Sequence, residues 1–135
     1  MEIQVTFPGN KKVAAQVGEH TIMTDQPVKY GGDGTAPTPY EHFLASLATC
    51  AGIFILGFCK ERGIPTEGVS LTQRLEFGQS LMGGPATIEA IAIDINVPAG
   101  FPEKYLKTLV KVADQCAVKK TIVNPPAFKI QTVVR

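Results

Sequence analysis

The side chains with the most chemistry in this 135-residue chain are its three cysteines, Cys50, Cys59 and Cys116. A thiolate can attack an electrophile, ligate a soft metal or pair with a second thiol. Metal binding is the weakest of these options here, because His20 and His42 are the only histidines and no Cys-x-x-Cys pair occurs. An odd number of widely spaced cysteines does not read as a secreted disulfide scaffold either. Met1 to Phe7 alternates and carries Glu2, unlike a signal peptide. These features point to a reducing, cytoplasmic setting, in which a cysteine is a redox group or a small buried hydrophobe. Spacing alone favours the small buried hydrophobe over the redox group.

Other chemistries find less support. The formal net charge of +1 suggests no nucleic-acid partner, and Lys11–Lys12 and Lys119–Lys120 read as solvated loops. The glycine-rich run from Tyr30 to Pro37 fits neither the dinucleotide nor the P-loop spacing, so it reads as a connection onto the next element. No cofactor or metal is expected. The length suits one domain, residues 1–135, which buries roughly two thirds of its unfolded surface.

The elements that must position the cysteines can be read in turn. Thr38, Pro39 and Glu41 make a capping box with proline at the first helical position. The helix they open should run to about Arg62, where Gly63 and Pro65 stop it. Phe43 to Cys59 carries no charge and would reach roughly 25 Å, the lower edge of a membrane span. Ser46, Thr49 and the strand-like remainder of the chain favour a buried central helix instead. Ala45, Ala48, Thr49 and Gly52 form a stripe of small residues that lets another element approach. Cys59 follows Cys50 by nine positions, which at about 100° per residue puts it on the opposite side of the helix. Those two thiols should not pair.

Around this helix, residues 2–7, 12–17 and 20–24 read as short strands, and 25–38 as a loop. Residues 68–78 and 86–97 alternate about a turn at Met82-Gly83-Gly84-Pro85, forming an antiparallel pair. Pro102 opens a second helix, which ends near Gln115-Cys116. A turn at 117–122 and a last strand at 127–134 complete the chain. The fold class is α+β, with a largely antiparallel sheet and two main helices, one long and central.

Local motifs narrow the reading. The run from His20 to Val28, Gly31-Gly32, the Ala36-Pro37-Thr38-Pro39-Tyr40-Glu41 segment and the run from Leu44 to Cys50 resemble OsmC-like proteins, the superfamily that includes organic hydroperoxide resistance proteins. The run from Ala113 to Thr121, containing Cys116, does so too. The resemblance covers nearly the whole chain, with its motifs in order. It implies an intertwined homodimer with two long central helices and sites at the subunit interface. It also implies that Cys50 attacks a hydroperoxide and that Cys116 resolves the product to a disulfide, which an external dithiol reduces. The alternative is a non-catalytic redox-sensing or ligand-binding dimer using the same pocket.

The chain departs from the peroxidases of that family in one respect. Those enzymes hold the attacking thiolate with an N-terminal arginine, and here none precedes Arg62. Glu41 is better explained by the capping box than as that arginine's partner. Cys50 lies about a dozen residues into its helix, beyond the reach of that helix's dipole. Apolar neighbours are therefore expected to raise its pKa, unless Lys29, Arg74 or Arg135 supplies a cation.

Overall fold

A computed structural model describes residues 1–78 and 86–135. The expected turn at Met82–Pro85 lies outside the described residues. The chain divides into two compact units, Met1–Ser46 and Leu47–Arg135.

The first unit is a meander of β1 (Ile3–Gly9), β2 (Lys12–Val17) and β3 (His20–Thr24), paired antiparallel in that order. Ile3 stands opposite Val17, and Ala15 opposite both Val5 and Ile22. Turns at Gly9–Asn10 and Gly18 join the strands, with Asn10 and Gly18 at positive φ. The loop that follows is organised around one buried carboxylate. Asp25 accepts hydrogen bonds from the Gln26 amide at 2.7 Å and from the Thr35 amide and hydroxyl at 3.0 and 2.7 Å. Lys12 stands 4.0 Å away and also pairs with Asp33. These donors hold the Asp25 carboxyl well below the usual carboxylate range, the Thr35 amide and hydroxyl doing most. Gly32 is required, since a Cβ there would fall 1.9 Å from the Gln26 carbonyl oxygen. The glycine-rich run is thus a loop tied to an internal anion.

The capping box forms as expected. The Thr38 amide donates to Glu41 Oε2 at 2.8 Å, and the Glu41 amide donates to Thr38 Oγ1 at 3.2 Å. The helix that it opens, α1, spans Pro39–Glu61. Gly63, at φ 64°, ends it in the left-handed turn the sequence suggested, and the Ile64 amide returns to the Cys59 carbonyl at 2.9 Å. By length and composition α1 could cross a membrane; 28% of its most apolar stretch is buried.

In the second unit, β4 (Ser70–Phe77) pairs antiparallel with β5 (Ile88–Asn96), with Leu71 opposite Ile95 and Gln73 opposite Ile93. A 3-10 turn at Glu103–Tyr105 leads into α2 (Leu106–Ala113). The core gathers Ile55, Phe58 and Cys59 of α1 with Phe101 and Leu109. Phe58 meets Tyr105 edge-on, with ring centroids 5.3 Å apart, and the Arg62 guanidinium covers the Phe58 ring at 3.8 Å.

The architecture is α+β with antiparallel strands, and it departs from the sequence reading in three places. Among the described residues there are two sheets rather than one, of three and two strands. Residues 117–122, expected as a turn, lie in a helix, α3 (Ala117–Val123). Residues 127–134, expected as a strand, pair with nothing among the described residues. A strand exists only through a neighbour's hydrogen bonds. Among the described residues this segment finds none, and Phe128 and Ile130 are left 84% and 92% exposed.

Candidate functional site

Cys50 and Cys116 come together in the second unit: Cys116 Sγ lies beside the Leu47 carbonyl, one helical turn from Cys50, and its thiol is among the groups that lower the Cys50 pKa. Cys50 is half-buried on α1, and Cys116 is 3% exposed at the N-cap of α3. At φ −50° and ψ 120° Cys116 has the extended backbone of an N-cap, and its Sγ accepts the Lys119 amide at 3.4 Å. Its Sγ also lies 3.9 Å from the Leu47 carbonyl oxygen, as a donor. A thiol has a single proton, so it serves either Leu47 or Cys50 at one time. Once Cys50 is ionised it is the stronger of the two acceptors.

The surroundings of Cys50 overturn the expectation of a raised pKa. Its thiol is held below a cysteine's ordinary value, most by the Val118 amide, then by the Cys116 thiol and the Ala117 amide. Burial opposes them and loses. The groups that favour the anion are two main-chain N–H groups and a thiol, none of them a cation. Arg74 is instead engaged by Asp94 across the β4–β5 pair, and Lys29 lies over the Tyr30 ring at 5.0 Å in the first unit. Arg135 ends an exposed segment. The error has a clear origin. The helix that matters to Cys50 is not α1, which carries it, but α3, which was read as a turn. Cysteine is an unusual N-cap, and Val118, Thr121, Ile122 and Val123 are poor helix formers. The one usable signal was that Cys116 directly precedes a seven-residue run containing no glycine or proline.

Cys59 behaves as its helical phase demands. It is fully buried in the core with Ile55 and Phe58, and burial pushes its thiol up, with Arg62 opposing in part. Neither Cys50 nor Cys116 is among its partners there.

A cleft of about 930 Å³ opens beside Cys116. Leu47, Ala51, Ile93, Ile95 and Leu109 line it with Cys116, so its wall is mainly apolar. Asp114 and Lys119, paired with one another, supply polar groups to its lining. Among the described residues, no three His, Cys, Asp or Glu side chains gather as metal ligands would. The site can therefore offer a stabilised thiolate, a second thiol in contact with it, and an adjoining apolar surface.

Comparison with known proteins bears on the family and the fold. A family model described as OsmC-like protein matches residues 32–131. No curated protein matches the chain by sequence. A Psychrobacter arcticus protein named for osmotic stress induction and a detoxification response shares the fold at TM-score 0.66 and 25% identity, over 88% of this chain and 85% of its own. A Vibrio cholerae organic hydroperoxide resistance protein, with captopril bound in one of its active sites, is similar at TM-score 0.54 and 22% identity, over 93% and 85%. A Legionella pneumophila organic hydroperoxide resistance protein gives TM-score 0.53 and 20% identity, over 90% and 87%. With its family model matched over most of its length, the chain belongs to the OsmC-like family.

Proposed function

We propose that this protein reduces organic hydroperoxides or hydrogen peroxide through Cys50 and Cys116, the whole chain acting as one domain. The observation that carries the reading is the placement of two free thiols together, with Cys116 Sγ 3.9 Å from the Leu47 carbonyl, one helical turn before Cys50; the Val118 amide and the Cys116 thiol lower the Cys50 pKa in support. Cys50 thiolate attacks the distal oxygen of the hydroperoxide. The O–O bond breaks, the alkoxide leaves as an alcohol after taking a proton, and Cys50 becomes a sulfenic acid. Cys116 then attacks that sulfur, the S–O bond breaks, and hydroxide leaves as water with the thiol's proton. An external dithiol reduces the disulfide. The apolar cleft beside Cys116 supports an organic rather than a purely aqueous substrate.

The same reading includes a homodimer in the cytoplasm. Most of the apolar stretch of α1 is unburied within one chain, and the alternating 127–134 segment has no strand partner among the described residues. A second copy related by a twofold axis would supply both. Three free thiols suit a reducing compartment. Peroxide consumption in the presence of a small dithiol tests the activity, with cumene hydroperoxide as substrate. Dithiol-dependent turnover is the expected result. No consumption with any dithiol would leave the site to redox sensing or ligand binding.

A further inference from the structure

The sequence of α3 scarcely supports a helix. Four of its seven residues, Val118, Thr121, Ile122 and Val123, are β-branched and lose side-chain freedom in a helix. Isolated helices shorter than about 12 residues are marginal in water. What α3 has instead is sulfur beside the amides of Ala117, Val118 and Lys119, donors that a helix start leaves unpaired. The Lys120 amide bonds the Cys116 carbonyl at 3.1 Å. The Lys119 amide donates to Cys116 Sγ at 3.4 Å, and the Ala117 and Val118 amides act on Cys50, whose pKa they lower.

We infer that α3 is a redox-sensitive element, held by the two reduced thiols and loosened when Cys50 and Cys116 join in a disulfide. The inference rests on the proposed Cys50–Cys116 chemistry, in which two thiols give up two electrons to the hydroperoxide and two protons pass to the alcohol and water. The sulfurs of a disulfide stand about 2.05 Å apart, closer than two hydrogen-bonded thiols. Cys116 Sγ is therefore drawn toward Cys50 and away from the Lys119 amide. Cys50 at the same time loses the charge that made it a strong acceptor for Ala117 and Val118. The Lys119 amide thus loses its thiol cap, and the Ala117 and Val118 amides lose the thiolate they favour, in one step. Lys119 and Ile122, which line the apolar cleft, lie on the loosened helix. Oxidation thus changes the wall of the cleft beside the disulfide and distinguishes spent protein from ready protein.

Hydrogen–deuterium exchange of amides 117–120 in the full-length protein tests this, reduced and after treatment with cumene hydroperoxide or with diamide, which oxidises thiols directly. Loss of two hydrogens by mass and a Cys50–Cys116 linked peptide report the bond. The expected result is exchange about tenfold faster after oxidation, the factor that loss of a good N-cap carries. Cys50→Ser, which cannot form the bond, should exchange alike with and without oxidant. In the reduced state Cys116→Ser should keep α3 protected, because serine caps helices well, and Cys116→Ala should not. A disulfide formed without faster exchange would overturn the switch and leave the peroxidase reading standing. If diamide forms the bond and the hydroperoxide does not, the peroxidase reading falls and the exchange result still decides the switch. Failure of both oxidants to form the bond would overturn the two together.

Discussion

Cys50 and Cys59 sit on one helix nine residues apart, yet their surroundings drive them in opposite directions. Cys59 points into packed side chains, where nothing donates to an anion, and desolvation raises its pKa. Cys50 is also partly desolvated, but it meets the exposed amides of a second helix and another thiol, and its pKa falls. Burial alone therefore does not decide a cysteine's reactivity. The deciding quantity is the supply of unspent hydrogen-bond donors, and a helix start holds several in one small volume. An arginine is one way to hold a thiolate; main-chain amides are another, with less charge but fixed geometry.

The largest test of this contrast removes the favoured sulfur. Cys50→Ser should lower dithiol-dependent peroxide turnover by more than about a hundredfold, as expected for loss of a nucleophile. Steady-state assay with cumene hydroperoxide measures it, and retention of wild-type turnover would end the enzymatic reading. Cys116→Ser should behave differently. Its first oxidation proceeds, but without a resolving thiol Cys50 moves on to sulfinic acid at excess peroxide. Intact mass after a peroxide titration reads this, and a Cys50 that stops at the sulfenic stage would deny Cys116 its resolving role.

How much of this contrast was legible in the sequence depends on the scale of the signal. The separation of Cys50 from Cys59 follows from helical phase, which survives any detail of packing. The capping box and Gly63 stop were equally local, and α1 ends at Glu61, within one residue of the reading. The 127–134 strand failed because strand formation depends on a partner, which alternation of apolar residues does not supply. The pairing of Cys50 with Cys116 came from family likeness. The direction of the Cys50 shift came from neither source, because it depends on two amides 67 and 68 residues away in sequence. Those amides face Cys50 only because α3 begins at Cys116, and the side chains of α3 argue against a helix.

A pH series sharpens the comparison further. A lowered pKa means that Cys50 stays ionised to lower pH than an ordinary cysteine, and that reactivity falls only as pH drops through the shifted value. Iodoacetamide modification of Cys50 should therefore titrate below about 8.5, the pKa of a free thiol. Cys59 should titrate above it, or remain unmodified in the folded protein. Peptide-resolved mass spectrometry separates the two sites in one sample. Equal titration at both sites would remove the distinction on which the proposed chemistry stands.

The smallest expected effect is at Cys59 itself. Its sulfur touches no reacting group, so Cys59→Ala should leave peroxide turnover within about twofold of wild type, the scatter usual for sites outside the chemistry. Stability should still register the change. The side chain is fully enclosed with Ile55, Phe58, Phe101 and Leu109, and its removal leaves a gap about the size of one methylene-like group. Such a deletion costs about 1 kcal/mol, or roughly 3–5 °C in Tm for a chain of this size. Cys59→Ser should cost more, because it keeps the volume but buries a hydroxyl among apolar groups. A thermal melt gives the order wild type, Cys59→Ala, Cys59→Ser from most to least stable, while the activity assay gives no order at all. If Cys59→Ala instead cut turnover as deeply as Cys116→Ser, then the two sides of α1 would not be chemically separate. The buried thiol would have to reach the site through a conformation in which the core around Leu109 opens.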